Sequence, residues 1–303
     1  MIARPHDRQE VEKRFHTFPV TCILGPRQCG KTTLACQFKF DHFFDLENPR
    51  DFASLDQPQT VLEDLRGLIV IDEIQKKPGL FSLLRYLVDH RPEQKYLILG
   101  SASRDLIRQT SESLAGRVAY YTLEGLRLED VGFEAMEKLW LRGAFPRSFL
   151  AKDSESSSLW RENYIATFLE RDIPQLGIRI PAATLRRFWI MLSHYHGQTL
   201  NYSELARSFG ISDMTVRHYL DILSGTFMVR LLSPWYLNTK KRVVKSPKLY
   251  LCDSGLFHTL QGIGTAQELR RHPKLGASWE GFALHLAMQA LAFPQEKIFF
   301  WGT

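Results

Sequence analysis

The chain has 303 residues, of which 44% are hydrophobic and 24% are charged, a composition typical of globular proteins. At roughly 100–200 residues per domain, its length favours two domains. No apolar run approaches the ~20 residues of a membrane-spanning helix, which excludes an integral membrane protein. The charged first residues exclude a secretory signal. With four cysteines and no CxxC pair, we expect a cytoplasmic protein with idle thiols.

The first part of the chain alternates apolar segments with segments of helix length, which predicts a parallel α/β sheet. From about Leu139 the helical pattern dominates. We expect one helix at 78–92 and strands at 17–24, 42–49, 68–72, 95–103 and 117–126.

Residues 25–32, GPRQCGKT, match the phosphate-loop pattern GxxxxGK[ST] between a predicted strand and a predicted helix. The backbone N–H groups of such a loop face phosphates, and the helix start adds its positive end. We expect Lys31 to reach the β- and γ-phosphates and Thr32 to bind Mg²⁺. An unrelated glycine turn is the alternative. The predicted nucleotide contacts are Gly25, Pro26, Arg27, Gln28, Cys29, Gly30, Lys31, Thr32 and Thr33.

A predicted apolar strand at 68–72 ends at Asp72, forty-one residues after Lys31, and a second acid, Glu73, follows directly. An acid at the end of a central strand is the arrangement that holds Mg²⁺ in phosphate-loop enzymes, and we assign Asp72 to it. A second carboxylate at this point is suited to polarise an attacking water. We therefore predict Glu73 as the general base of hydrolysis.

Two polar residues at other strand ends have two interpretations each. Ser101 follows the strand at 95–103 and is our candidate for a residue between the acids and the γ-phosphate. A plain Gly/Ser turn is the alternative. Asn48 could hold Glu73 inactive until a partner binds, although Asn before Pro is also ordinary turn chemistry.

Several segments together resemble the bacterial and archaeal AAA-family ATPases with an uncharacterised C-terminal domain: GPRQCGKTTL, LIVIDEIQ, LILGSAS, ESLAGRV, FLERDIPQL and KLYLCDSGL. The resemblance implies a P-loop ATPase of the additional-strand class at 1–135. It further implies a helical region with a winged helix-turn-helix at 136–250 and the start of a nuclease-like domain at 251–303. ATP rather than GTP is expected from the resemblance and from the lack of an NKxD guanine motif.

Two arginines are candidates for a finger that stabilises transition-state charge in a neighbouring copy, which would make the protein a homo-oligomer. Arg117 lies just before the last predicted strand of the sheet, and Arg171 lies on a predicted helix. Each has a structural ion pair as its alternative, and Arg171 is flanked by acids.

Residues 176–252 contain eleven lysines and arginines against three acids, in a chain whose net charge is +6. The pattern at residues 204–220 predicts a helix, a turn and a second helix, with Gly210 at the turn and Ser212 capping the second helix. DNA contact is predicted through Arg217 and the basic wing tip Lys240, Lys241 and Arg242. A lid or a protein-docking surface is the alternative.

Near the chain end, Glu280 matches an acidic position of the nuclease-like domain, but the further acids that a metal site needs are missing from the sequence. We therefore expect no nuclease activity and a truncated C-terminal domain. Two hypotheses for the whole protein stay open. It either hydrolyses ATP to act on DNA or a protein partner, or binds ATP as a switch with negligible turnover. The intact pair Asp72–Glu73 favours hydrolysis.

Overall fold

A computed structural model of the chain describes residues 2–101, 110, 112–235, 246–291, 293 and 297–301. The chain divides into two compact units, Met1–Gly125 and Leu126–Thr303. No helix among these described residues is long and apolar enough to cross a membrane.

The first unit is built on a five-stranded sheet with the order β2-β3-β4-β1-β5, in which every neighbouring pair is parallel. All of β1 is buried, because a parallel strand covered on both faces is apolar throughout. The insertion of β4 between β1 and β3 confirms the predicted α/β sheet with an additional strand. The strands are β1 (Val20–Gly25), β2 (His42–Asp45), β3 (Gly67–Asp72), β4 (Gln94–Ser101) and β5 (Val118–Thr122).

Helices flank this sheet, and the predicted helix at 78–92 is observed as Leu80–His90. Its buried residues include Leu80, Leu84 and Leu87, which are spaced for one helix face. A helix before β1, absent from the sequence predictions, begins at Pro5. The helices of this unit are α1 (Pro5–Thr17), α2 (Lys31–Ala35), α3 (Pro49–Ser54), α4 (Pro58–Leu62) and α5 (Leu80–His90).

The second unit is mostly helical, as predicted, with a small sheet of order β6-β8-β7-β9. Its strands are β6 (Gln198–Thr199), β7 (Val229–Pro234), β8 (Lys248–Leu251) and β9 (Phe299–Phe300). A π-helical turn, Phe168–Asp172, follows α9. The described helices are α6 (Leu128–Val131), α7 (Met136–Arg142), α8 (Pro146–Phe149), α9 (Ser154–Thr167), α10 (Ile173–Gln175), α11 (Ala182–His194), α12 (Tyr202–Phe209), α13 (Asp213–Gly225), α14 (Ser254–Leu260), α15 (Ala266–Arg271) and α16 (Leu275–Leu291).

The turn between α12 and α13 has the local chemistry that the sequence predicts. Gly210 ends α12 with φ 64°, a left-handed conformation that glycine adopts without steric cost. The Ser212 hydroxyl accepts a hydrogen bond from the backbone N–H of Thr215 at 3.1 Å and caps α13. Val216 and Leu220 are buried, which confirms the predicted inner face of α13.

A buried hydrogen-bond chain joins three helices of the second unit. The indole of Trp140 on α7 donates to the Ser278 hydroxyl on α16 at 2.9 Å, and this hydroxyl lies 2.7 Å from His258 Nε2 on α14. His258 Nδ1 lies 3.0 Å from the Leu141 carbonyl. The chain is satisfied when Nδ1 donates and Nε2 accepts, which requires a neutral imidazole. Burial lowers the pKa of His258 to about 4.

A second buried histidine in this unit behaves in the same way. His196 Nδ1 accepts a hydrogen bond from the Leu251 N–H at 3.0 Å, and burial lowers the pKa of His196 to about 4. An unfolded chain would bind a proton at each histidine near pH 6.5. The stability that these two residues contribute is therefore present above that pH and is lost as the pH falls towards 4.

We expect the free energy of unfolding of the second unit to fall by about 2 kcal/mol per buried histidine between pH 8 and pH 5. Urea unfolding followed by tryptophan fluorescence measures this difference. His258→Gln should lower the free energy of unfolding at pH 8. The decrease between pH 8 and pH 5 should then be smaller by about 2 kcal/mol, the contribution of one histidine. An unchanged pH dependence in His258→Gln would contradict the assignment.

Candidate active site

The loop between β1 and α2 has the backbone of an anion-binding turn. Gln28 and Gly30 have φ angles of 61° and 102°. Left-handed residues in such a loop turn successive N–H groups to one side and create a concavity for anions. Helix α2 has only five residues, so only a few aligned peptide dipoles contribute positive potential at its N-terminus.

Gly25 ends β1 at a close backbone approach. A Cβ atom at this position would lie 2.2 Å from the Leu123 carbonyl oxygen, and the Leu123 N–H donates to the Leu24 carbonyl at 2.8 Å. The chain that leaves β5 therefore packs directly on the start of the loop. Any side chain at position 25 would displace one of the two segments.

Lys31 lies within the loop rather than in solvent. Its Nζ donates to the carbonyls of Gly25 at 3.1 Å and Pro26 at 2.9 Å, and the residue is buried. The two carbonyls are neutral, so they satisfy ammonium donors without supplying an opposite charge. A phosphate is the natural counter-ion for such a buried cation.

The other predicted nucleotide contacts differ in burial and in their partners. Arg27 pairs with Glu47 at 2.9 Å. Cys29 is buried, and burial raises the pKa of its thiol, which therefore stays protonated and unreactive. Gln28 and Thr33 are exposed.

Arg4, just before α1, holds this loop and was not predicted from the sequence. Its guanidinium donates to the Cys29 carbonyl at 2.8 Å and to the Gly125 carbonyl at 3.0 Å, and it lies 3.7 Å from Asp7. Arg4 and Asp7 are both buried. A lone arginine 21 residues before the loop carries no local sequence pattern that reveals these contacts.

The phosphate loop meets the acidic strand end through one short hydrogen bond. The Thr32 hydroxyl donates to Asp72 Oδ2 at 2.5 Å, although the two residues are 40 positions apart. Asp72 Oδ1 accepts from the Glu73 N–H at 2.8 Å. Burial and the neighbouring charge of Glu73 raise the pKa of Asp72, against the lowering effect of the Thr32 hydrogen bond. A hydroxyl and a carboxylate in contact are oxygen ligands of the kind that Mg²⁺ prefers.

Glu73 has φ 54° and ψ 43°, a left-handed conformation that costs a residue with a Cβ about 1–2 kcal/mol. Its Oε2 accepts hydrogen bonds from the Gln75 side-chain amide and from the Ser101 hydroxyl at 3.2 Å. Non-glycine residues in this conformation concentrate at functional sites, where surrounding contacts hold them.

The structure thus brings Ser101 to Glu73, at the carboxyl end of β4. It does not bring Asn48 there: the Asn48 side chain accepts from the Arg50 N–H at 3.1 Å and caps α3. Gln75 makes the side-chain contact with Glu73 that we had considered for Asn48. Its position two residues after Glu73 in LIVIDEIQ was the available signal.

Of the two candidate finger arginines, Arg117 lies in the first unit and Arg171 in the second. Arg117 pairs with Asp89 through two hydrogen bonds of 2.6 and 2.8 Å, and this pairing lowers the pKa of Asp89. It precedes β5 at the amino end of the strand, and the phosphate loop follows the carboxyl end of the parallel β1. Five residues of strand span about 17 Å, so Arg117 cannot reach the loop of its own chain. Arg171 is exposed in the π-helical turn.

Comparison with known proteins agrees with this geometry. Residues 17–131 match a family model described as an AAA domain, and residues 133–267 match a domain of unknown function, DUF8612. Two relatives are 50% identical over 308 residues, covering 100% of this chain and 69% of each relative. They are the uncharacterized proteins Rv2008c of Mycobacterium tuberculosis and Mb2031c of Mycobacterium bovis. The chain belongs to the same family as these relatives, and its residues 17–131 form an AAA domain.

A solved structure supports the fold of this AAA protein. A Walker-type ATPase of Pyrococcus abyssi, PABY2304, is similar with a TM-score of 0.54 and 15% identity. The similarity covers 86% of this chain and 96% of that protein.

Lys31→Ala tests the phosphate loop of the AAA domain. Removing the buried cation should weaken binding of a fluorescent ATP analogue by about 10- to 100-fold, the effect of losing a charged hydrogen-bond partner. Lys39→Ala, which removes an exposed lysine after α2, is the matched control and should leave affinity unchanged. Undiminished affinity in folded Lys31→Ala would overturn the assignment.

Proposed function

We propose that this AAA protein hydrolyses ATP and couples its nucleotide state to DNA. The observation that carries the first part is the convergence of three strand ends. The phosphate loop after β1, the acids after β3 and Ser101 at the end of β4 are linked by the Thr32–Asp72 and Glu73–Ser101 hydrogen bonds. A triphosphate on the loop would meet a cation, a metal-ligand pair and a carboxylate.

Each residue of this group has one task in the proposal. Lys31 and the loop N–H groups bind the β- and γ-phosphates, together with the other predicted loop contacts. Thr32 and Asp72 would hold Mg²⁺, which when bound neutralises charge on the phosphate oxygens. Glu73 accepts the proton of the attacking water, and Ser101 holds the Glu73 carboxylate. The choice of ATP over other nucleotides rests on the AAA family.

Arg117 remains the proposed finger, and its location supports action in trans. It cannot serve its own loop, so it would complete the site of a second copy. Such a site would require a homo-oligomer. In a single chain the guanidinium is held by Asp89, and a neighbouring phosphate would have to compete with that carboxylate.

Glu73→Gln tests hydrolysis directly. The amide keeps the size of the side chain but accepts a proton poorly, so turnover should fall by at least about 100-fold, the usual contribution of a general base. Binding of ATP should persist, because Glu73 is not among the loop contacts. Steady-state phosphate release and nucleotide titration measure the two effects. Tight binding by the wild type without turnover would favour the alternative function, a nucleotide-gated switch.

The proposed DNA contact rests on the second unit. Helices α11, α12 and α13 with strands β6, β7 and β8 follow the element order of a winged helix, which supports that assignment. Arg217 is exposed on α13, and its guanidinium stacks on the Tyr202 ring at 3.9 Å, a contact that limits its rotamers. The basic tip Lys240, Lys241 and Arg242 lies outside the described residues.

Arg217→Gln tests this interface. If Arg217 contacts one phosphate, the mutation should weaken duplex DNA binding and reduce the slope of log affinity against log salt by about 1. Arg270→Gln is the control, because Arg270 is an exposed arginine of the same unit that pairs with Glu137 at 2.6 Å. DNA binding with an unchanged salt slope in Arg217→Gln would favour a lid or a protein-docking surface.

We also propose that the chain has no nuclease activity. Glu280, the residue assigned to the nuclease-like domain, accepts hydrogen bonds from Lys248 at 2.7 Å and from Tyr250 at 2.5 Å. Both partners lie on β8, so Glu280 joins α16 to the small sheet. Among the described residues, no group of three or more His, Cys, Asp or Glu side chains is placed to hold a metal ion.

A further inference from the structure

Three side chains beside the phosphate loop form a closed triangle of hydrogen bonds. The Gln75 amide donates to Glu73 Oε2 and to the Ser101 hydroxyl at 3.1 Å. The Ser101 hydroxyl in turn donates to the same Oε2 at 3.2 Å. The two amide hydrogens and the hydroxyl hydrogen are each used once, so the donors and acceptors of the triangle are consistent.

The backbone after β3 is shaped to return Gln75 to Glu73. The left-handed Glu73 opens a 3₁₀ turn, Ile74–Lys76, in which the Lys76 N–H donates to the Glu73 carbonyl at 3.0 Å. Ile74 is fully buried and anchors the turn in the core. In an extended strand, residues 73 and 75 would project from the same face with their Cα atoms about 7 Å apart, and the turn instead folds the two residues towards each other.

The triangle engages only one oxygen of the Glu73 carboxylate. Both donors bind Oε2, and no hydrogen bond from a described residue reaches Oε1. A carboxylate held through one oxygen has a fixed plane and keeps the other oxygen for a proton. This is the arrangement that a general base requires, because its lone pair must point at the water in the reactive geometry.

Gln75 has a second unusual feature. Its amide nitrogen has two acceptors, but its Oε1 is buried without a hydrogen-bond partner among the described residues. Buried amide oxygens are normally paired, and unpaired ones concentrate where a ligand or water supplies the partner. A methionine of similar length would have filled the same space without this unsatisfied acceptor.

We propose that Gln75 is a positioning residue for hydrolysis: it holds Glu73 through Oε2 so that Oε1 accepts the proton of the attacking water. This role rests on the proposed ATP hydrolysis. In that step the water oxygen forms a bond to the γ-phosphorus, and one water proton passes to Glu73 Oε1. The bond from the γ-phosphorus to the β–γ bridging oxygen breaks, and its electron pair leaves with ADP.

An inhibitory role for the triangle would have the opposite effect on turnover. If the triangle kept Glu73 away from the water, releasing it would raise turnover. The shared Oε2 argues against this, because an inhibitory contact would have to engage the proton-accepting oxygen or turn the carboxylate from the site.

The main variant is Gln75→Met, which keeps the length of the side chain and removes both donated hydrogen bonds. We expect kcat for ATP to fall about 10-fold, part of the contribution of a well-placed general base. ATP affinity should stay at the wild-type value, because Gln75 contacts no loop residue, and a thermal unfolding measurement checks that the variant is folded. Gln59→Met is the matched control: the exposed Gln59 on α4 also donates to a glutamate, Glu63, at 3.4 Å.

Gln75→Glu separates positioning from packing. It preserves the shape of Gln75 but replaces the donor with a second carboxylate beside Glu73, and like charges repel. A positioning role predicts a larger loss of kcat than in Gln75→Met, with ATP affinity retained. A packing role predicts a smaller loss of kcat in Gln75→Glu than in Gln75→Met. The comparison also applies if Gln75→Met folds poorly, since Gln75→Glu is then compared with wild type.

Glu73→Gln, measured beside these variants, distinguishes the two levels of failure. If wild type turns over and Glu73→Gln does not, but both Gln75 variants match wild type, the role of Gln75 is refuted and hydrolysis stands. Higher kcat in Gln75→Met would refute positioning in favour of restraint. If Glu73→Gln retains full turnover, the proposed base is wrong, and the role of Gln75 falls with it.

Discussion

The hydrogen bond between Thr32 and Asp72 depends on the order of the strands. Because β4 separates β1 from β3, the loop after β1 and the acids after β3 end on either side of Ser101. All three strands are parallel, so their carboxyl ends share one edge of the sheet. A different order would leave the same motifs in the sequence without bringing Thr32, Asp72 and Ser101 into one group.

The same edge concentrates polar groups that are costly to bury, and each has a specific means of compensation. Lys31 is held by two carbonyls of its own loop, and Arg4 binds one carbonyl of the loop and one at the end of the unit. Asp72 accepts hydrogen bonds from the Thr32 hydroxyl and from the backbone N–H of Glu73. Losing either partner of such a buried pair would leave an unsatisfied group, which costs about 1–3 kcal/mol. Neighbouring segments as well as the loop itself therefore supply the contacts that hold the loop.

Much of the first unit was predictable because its signals are local. Continuous apolar runs indicated the buried parallel strands, and glycine spacing indicated a loop whose backbone angles depend on those glycines. Helix α1 was missed because its sequence is charged and has little apolar periodicity, and its two buried residues, Asp7 and Val11, include an acid. Arg4 and Gln75 were missed for a related reason. Arg4 binds backbone carbonyls that folding brings close, and Gln75 binds Ser101, 26 residues away, as well as Glu73. Only the two-residue spacing of Gln75 and Glu73 is visible in the sequence, and that spacing alone does not predict a contact.

In the second unit, the turn and its cap were predictable from the sequence, and the long-range side-chain partners were not. Gly210 and Ser212 act within four residues of themselves, so residue type alone indicated the turn and the cap. Glu280 was assigned by resemblance to an acidic position, and residue type could not reveal that Lys248 and Tyr250, about thirty residues earlier, would bind its carboxylate. The resemblance and the contact concern the same side chain. Only the contact has a physical consequence in this chain, because it joins α16 to β8. A carboxylate oxygen shared by a lysine and a tyrosine has less electron density left for a metal ion.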